Sequence, residues 1–340
     1  MSVDLSTYYL GMKLNNPLGV AACPPLTGNV ETLKRLEAAG AAVAVLPSLF
    51  EEQVEHEEAE INALYNFQAE SFAESLSFFP ELDEYNTGPG RYLRHVEEAK
   101  NALSIPIIGS LNASSDGGWL RYAKLIQDAG ADALELNIYF VPTDPNMSAH
   151  SVEQRYVDLV AKVCQSISIP IAVKIGSNFT ALPHFAQQLV SAGAEGLVLF
   201  NRYLEADIDL ETLQFKPDLV LRNRHEARVP IRWIAILRDQ LQASLAATSG
   251  VHRLQGLVKL LLAGADVAFM ASILMMKGPE FLALLLRELR AWMEEKEYTS
   301  VEQLKGSMSR RNAPDTGALE RANYMKALIS YSTENAAPFA

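Results

Sequence analysis

Four times along the chain an amphipathic pattern of helical period ends in Ala-Gly-Ala and is followed by a short apolar run. The units are Ala39-Gly40-Ala41 before 43–46, Ala129-Gly130-Ala131 before 133–137, Ala192-Gly193-Ala194 before 197–200, and Ala263-Gly264-Ala265 before 267–270. Apolar positions three and four apart predict a helix, and an unbroken apolar run of about four to eight residues predicts a strand buried on both faces. Glycine between them is the usual way to end a helix. The second of these units supplies the polar and aromatic residues Asn137, Ile138, Tyr139 and Phe140 directly after its strand.

The same pattern extends to a full series. Strands are expected over 18–22, 43–46, 106–110, 133–137, 170–174, 196–200, 243–247 and 267–270. Helices are expected over 30–39, 92–103, 119–129, 152–166, 183–192, 231–241, 251–263 and 279–295. Asn29 caps the first helix, with Glu31 in its first turn. Cys23-Pro24-Pro25 ends the first strand and Pro47-Ser48 closes the second, since proline cannot donate to a ladder. Residues 10–14 read as a short hairpin, with Asn15-Asn16-Pro17 as its turn or exit. Ser104-Ile105-Pro106-Ile107 returns as Ser168-Ile169-Pro170-Ile171, a two-unit repeat.

Eight β–α units with an internal repeat predict an α/β fold, a closed (β/α)8 barrel. The runner-up is an open doubly wound sheet, which more typically carries a glycine fingerprint after its first strand; none follows Cys23. One barrel over 1–295 is expected, with an insertion at 49–90 and a tail over 296–340 that packs on the barrel or a partner subunit. The insertion starts with an acidic run at 51–60, read as a solvated helix. Phe67, Phe72, Phe78, Phe79, Tyr85 and the segment Asn86-Thr87-Gly88-Pro89-Gly90 follow. The insertion is either a lid or binding excursion, or a packed surface loop. Residues 201–228 read as polar and irregular, and 320–331 as a helix.

Composition narrows the function. A chain of 340 residues, 49% apolar and 21% charged, is that of a globular protein with a sizeable core. A net charge of -12 without a basic stripe argues against nucleic-acid binding. Cys23 and Cys164 make no disulfide framework, no apolar run approaches membrane-spanning length, and the first residues lack a signal pattern. The reading is cytoplasmic, with no membrane partner. His56, His95, His150, His184, His225 and His252 are scattered without ligand spacing, so no metal site is expected.

In a barrel the chemistry belongs at the C-terminal ends of the strands. Those ends carry Cys23, Pro47-Ser48, Asn112, Asn137 with Tyr139 and Phe140, Lys174, Asn201, Thr248-Ser249-Gly250 and Ala271-Ser272. Lys174 ends an apolar strand, so its ammonium needs either a ligand or cofactor, or an ion pair with Glu135 or another barrel carboxylate. Ser249-Gly250 and Ala271-Ser272 follow strands seven and eight, where barrels place phosphates, or are ordinary tight turns. Asn86, Asn112, Asn137 and Asn201 offer paired donors and acceptors that suit a flat ligand with amide-like edges.

Several of these runs carry a resemblance. Leu14-Asn15-Asn16-Pro17-Leu18-Gly19, Asn86–Gly90, Leu134-Glu135-Leu136-Asn137, Ala172-Val173-Lys174-Ile175, Leu199-Phe200-Asn201 and Thr248-Ser249-Gly250-Val251 are similar to class 1 dihydroorotate dehydrogenases. The likeness covers nearly the whole chain and is closest to a bacterial dihydroorotate dehydrogenase-like branch. For that branch the distinctive runs start at Tyr139, Asp207 and Arg310. The resemblance implies an FMN-holding barrel and a homodimer; with no quinone-directed N-terminal extension and no iron–sulfur cysteine set in the sequence, a soluble electron acceptor or separate redox partner is expected. It places Lys174 beside the flavin's pyrimidine edge and Ser249, Gly250, Ala271 and Ser272 around its phosphate. It places Asn86, Asn137 and Asn201 against a flat pyrimidine.

The chain departs from that pattern where the family's catalytic cysteine or serine should stand, since Phe140 occupies the position and cannot accept a proton. A second lysine expected after strand two is Pro47, and a downstream loop carboxamide is missing. Tyr139 and Cys23 are the substitute acid–base candidates. The first expectation is an FMN-dependent oxidoreductase acting on a pyrimidine-like or other flat, polar, unsaturated molecule. The alternatives are a catalytically lapsed FMN-binding subunit, and a non-redox phosphate-binding lyase or isomerase using Lys174.

Overall fold

In a computed structural model the described residues are 3–52, 54, 89–113, 115–201, 206–217, 220–221, 223–313, 316–317, 324 and 329. Two short strands come first, β1 (Thr7–Tyr9) and β2 (Met12–Leu14), paired antiparallel. The barrel strands are β3 (Leu18–Val20), β4 (Val43–Phe50), β5 (Ile107–Asn112), β6 (Ala133–Asn137), β7 (Ile171–Ile175), β8 (Gly196–Leu199), β11 (Ser244–Thr248) and β12 (Val267–Met270). Between β8 and β11 lies an antiparallel hairpin, β9 (Ala206–Asp209) and β10 (Gln214–Pro217). The eight barrel strands are parallel and closed, with β12 pairing back to β3. A helix follows each: Val30–Ala38, Gly90–Ala102, Asp116–Asp128, Ala149–Ser166, Leu182–Ser191, Arg228–Leu237, Leu254–Ala263 and Phe281–Glu295. The fold is a (β/α)8 barrel.

The Ala-Gly-Ala units have one physical cause. Gly40, Gly130, Gly193 and Gly264 all take positive φ, between 92° and 121°. At each, the glycine N–H bonds a carbonyl three residues back and the following alanine N–H one five residues back, as in Ala41 to Leu36 and Ala131 to Ile126. That is the Schellman helix end, for which a left-handed glycine is favoured. The Ser-Ile-Pro-Ile repeat likewise marks a repeated joint. Ser104 N donates to Glu37 Oε1 at 2.8 Å, and Ser168 N donates to Gln127 Oε1 at 2.6 Å.

Inside the barrel a separate apolar plug is formed by Tyr9, Leu10 and Leu14 with Val43, Val45, Ile108, Ala133, Ala172, Val198 and Phe269. Tyr9 meets Phe269 edge to face, with centroids 5.7 Å apart. The hairpin turns at Leu10-Gly11, both at positive φ, so Asn15–Pro17 is its exit rather than its turn. The helices pack outside the strands through the larger core. Alternation along β6 and β7 then sets the next interior layer. With Ala133 and Ala172 inward, Glu135 and Lys174 also point inward, and Asn137 lies opposite Lys174 in the ladder.

Four expectations need correction. β4 does not close at Pro47-Ser48 but runs on to Phe50, with a register shift between Val45 and Ser48. The shift accommodates a proline without an N–H and changes the strand's facing, so Ser48 turns inward. Glu51 is not solvated: it is buried and accepts hydrogen bonds from Ser115 N and Ser115 Oγ. The rest of the acidic run, apart from Glu52 and Val54, lies outside the described residues. Within 201–228 the β9–β10 hairpin replaces the expected irregular stretch, its turn fixed by Asp209 Oδ1 accepting from Glu211 N and Thr212 N. Finally, 251–263 starts its helix only at Leu254.

Beyond the last barrel helix, the chain returns along the face where β1 and β2 enter. Asp4 N donates to Thr299 O, Val301 N to Asp4 O, Gly306 N to Leu261 O and Met308 N to Leu262 O. Apart from Tyr324 and Ile329, the helix expected over 320–331 lies outside the described residues. No described helix is long and apolar enough to cross a membrane.

Candidate active site at the barrel mouth

A cavity of about 960 Å³ opens at the C-terminal ends of the strands. Ala21 and Ala22 after β3, Ser48 of β4, Asn137 of β6 and Lys174 of β7 form one side of its wall. Phe200 and Asn201 after β8, Thr248–Val251 around the end of β11 and Met270–Ser272 at the end of β12 form the other. The volume lies within the range of small-molecule and cofactor sites.

A chain of polar side chains crosses this mouth. Asn201 Nδ2 donates to Asn137 Oδ1 at 2.7 Å, and Asn137 Nδ2 donates to Ser48 Oγ at 3.1 Å. Ser48 Oγ and Ser110 Oγ share a hydrogen bond of 2.8 Å. Each amide thereby has its orientation set, leaving Asn201 Oδ1 and a second N–H on each asparagine for a ligand. The β4 bulge makes the chain possible, because only the shifted register brings Ser48 to Asn137.

Lys174 makes the ion pair with Glu135 that was weighed for it and also faces the cavity. It lines the cavity, and its Nζ lies 3.2 Å from Oε1 of Glu135, with side-chain exposures of 12% and 3%. Glu135 does not line the cavity, so the carboxylate holds the ammonium from below and leaves other N–H directions for the mouth. Ser249 and Gly250 both take positive φ, 78° and 76°, and no backbone acceptor among the described residues takes their N–H groups. With Ala271 and Ser272 across from them, this is a small-residue cradle with free donors, as a phosphate requires.

The other expected residues separate. Cys23 lines the cavity, its Sγ 3.6 Å from Met275 Sδ, and burial pushes its thiol above the ordinary range. Tyr139 is 41% exposed and lies outside the cavity wall. Phe140 is also outside it, half-buried with the Arg155 guanidinium 4.5 Å from its ring centroid. Asn112 ends β5 buried and outside the wall. Asn86 lies outside the described residues. Among the described residues, no group of three or more His, Cys, Asp or Glu could hold a metal ion.

Sequence reasoning passed over a second wall of the cavity. Beside the expected Cys23, Pro24, Gly28–Glu31, Arg91, Tyr92, Arg94, His95 and Glu98 line it, from the segment after β3 and the helix after β4. Tyr92 OH donates to Ser110 O at 3.1 Å and accepts from Ser110 N at 2.9 Å. Its hydroxyl is pushed well above the ordinary value, chiefly by burial. His95 Nε2 lies 2.7 Å from Thr27 O. The only signal for this wall was its position next to the Asn86–Gly90 segment.

A (β/α)8 barrel with a ligand cavity of this make-up at its C-terminal mouth defines an architecture, and the comparisons with known proteins narrow it. No protein-family model matches the chain. It is 24% identical over 331 residues to the dihydroorotate dehydrogenase B (NAD(+)) catalytic subunit of Thermoplasma volcanium, covering 91% of this chain and 99% of that one. It is 22% identical over 315 residues to the protein of the same name from Thermoplasma acidophilum, covering 89% and 98%. It is 27% identical over 200 residues to dihydroorotate dehydrogenase A (fumarate) of Lactobacillus delbrueckii subsp. bulgaricus, covering 57% and 63%. The chain is related to the dihydroorotate dehydrogenases.

Proposed function

We propose that the protein is an FMN-dependent oxidoreductase that removes hydrogen from a CH–CH unit of a flat, polar, pyrimidine-like molecule. The observation that carries this reading is the gathering of Lys174, Asn137, Asn201, Ser249-Gly250 and Ala271-Ser272 around one cavity of about 960 Å³. The relatives' names give the reaction class, oxidation of dihydroorotate. We extend the class to this chain and leave the substituents of the substrate open. A cytoplasmic homodimer that passes its electrons to a soluble acceptor belongs to the same proposal.

The residues fit the cofactor. Ser249 and Gly250 with Ala271 and Ser272 would hold its phosphate, since their N–H groups and small side chains leave room for an anion. Lys174, braced by Glu135, would meet its electron-rich edge and stabilise negative charge developing there. FMN, when bound, supplies the acceptor for a hydride. Asn137 and Asn201, fixed by each other and by Ser48, would orient the flat substrate. A lapsed, flavin-holding subunit is the second reading, favoured by Phe140 lying outside the cavity where a base would be needed.

Anaerobic mixing of flavin-loaded protein with dihydroorotate and with dihydropyrimidine analogues separates the two. Bleaching of the flavin band by at least one of them is the expected result. No bleaching by any, with flavin firmly held, would leave the lapsed subunit standing.

A further inference from the structure

The oxidation of a CH–CH unit needs two acceptors, one for the hydride and one for a proton. Phe140 cannot be the second, and neither it nor Tyr139 lines the cavity. Among the described cavity residues, Tyr92 has both its donor and acceptor capacity taken up by the Ser110 backbone, and burial holds its proton on. Burial disfavours the Cys23 thiolate in the same way. Glu31 is exposed and ion-paired to Lys34 at 2.7 Å. His252 follows the Ser249-Gly250 turn on the side we assign to phosphate.

His95 is different. It is half-buried in the cavity wall, on the helix Gly90–Ala102, and its Nε2 lies 2.7 Å from the carbonyl oxygen of Thr27. A carbonyl can only accept, so the neutral ring must carry its proton on Nε2, and Nδ1, which bonds no other described residue, is left as the basic nitrogen. A base oriented by a third group is the arrangement on which proton-transfer sites are generally built.

We propose that His95 is the catalytic base of this site, resting on the oxidoreductase reading above. In the step, the C–H bond beside the substrate carbonyl breaks and its proton passes to Nδ1 of His95. The electron pair left behind becomes the second bond of the new C=C. The neighbouring carbon loses a hydride, with its two electrons, to the flavin oxidant of the proposed reaction. Other charged and titratable groups around the imidazole are Arg91, Arg94 and Glu98 on its own helix. Glu31 and Cys23 come from the segments packed against that helix, and Lys174 and His252 from across the cavity.

His95→Gln is the direct test, because the glutamine amide N–H can still donate to Thr27 O while offering no base. FMN affinity should stay within about twofold, while flavin reduction by dihydroorotate, or by whichever dihydropyrimidine analogue bleaches the wild type, falls about 10²- to 10⁴-fold. Exchange of the substrate's C–H proton into D2O, followed by NMR, should fall in parallel. His95→Ala, with the ring removed, should regain reduction when free imidazole is added. Equal reduction and exchange in wild type and His95→Gln, or an unrescued His95→Ala that still exchanges at the wild-type rate, would overturn the role of His95 alone. A wild-type protein that holds FMN but neither exchanges nor is reduced would overturn the oxidoreductase reading and His95 with it.

Discussion

Replacing Lys174 by methionine is the perturbation whose outcome the site geometry constrains most tightly. The ammonium and the Glu135 carboxylate are 3.2 Å apart, with only 12% and 3% of their side chains exposed. At an effective dielectric constant of about 20, two unit charges at that separation attract by about 5 kcal/mol. Burying both charges offsets much of that attraction, but removing one partner leaves the other stranded in the barrel interior. The expected loss is therefore about 3–5 kcal/mol. Lys174→Met should show it in urea unfolding monitored by circular dichroism. Adding Glu135→Gln should recover a large part, because the stranded charge is gone. Flavin affinity, read by fluorescence quenching, should be weakened in both variants, since both lack the ammonium at the mouth. A single variant that loses less than about 1 kcal/mol, or a double variant no more stable than the single, would refute the reasoning.

Two further expectations follow from packing and burial. A Cβ on Gly250 would lie 2.3 Å from Ala227 N at a φ of 76°, whereas one on Gly117 meets nothing within 4 Å. Gly250→Ala should thus destabilise by about 2–4 kcal/mol and loosen FMN, while Gly117→Ala should stabilise by about 0.4–1 kcal/mol. Parallel urea titrations check both, and equal effects at the two positions would contradict the assignment. Burial pushes Cys164 up to about 11, against an ordinary value of 9.0. The folded state then retains a proton that the unfolded chain gives up, so this contribution to stability is intact below about pH 9 and lost between about pH 9 and 11. Cys164→Ala should flatten that alkaline slope, and an unchanged slope would count against it.

The barrel was legible in the sequence because its joints are local. A Schellman end needs only a helix pattern and a glycine in the right place, as at Gly40 and Gly130, and the strands between are apolar on both faces. What was not legible depends on partners distant in the chain. Pro47 reads as a stop, yet β4 passes it by shifting register against β5, and only then does Ser48 meet Asn137. Glu51 reads as solvated until Ser115, 64 positions on, is found beside it. The hairpin at 206–217 does alternate polar and apolar positions, but Ile208, Leu210, Leu213 and Phe215 are exposed, so burial gave no reason to expect strands there.

The site divides along the same line. Lys174, Asn137, Asn201 and the two small-residue turns sit at strand ends, whose address in a barrel is fixed by topology. Asn112 and Tyr139 share that address in sequence but not the facing, and they fall outside the cavity wall. His95 comes from a helix, where no strand-end argument reaches it.

The central claim is that this cavity holds FMN, and titration of flavin-stripped protein with FMN, read by the loss of flavin fluorescence, tests it most directly. The account predicts saturation at one FMN per chain, with weakened binding in Lys174→Met and Gly250→Ala and unchanged binding in His95→Gln. A folded protein that leaves FMN fluorescence unquenched at every concentration would contradict it.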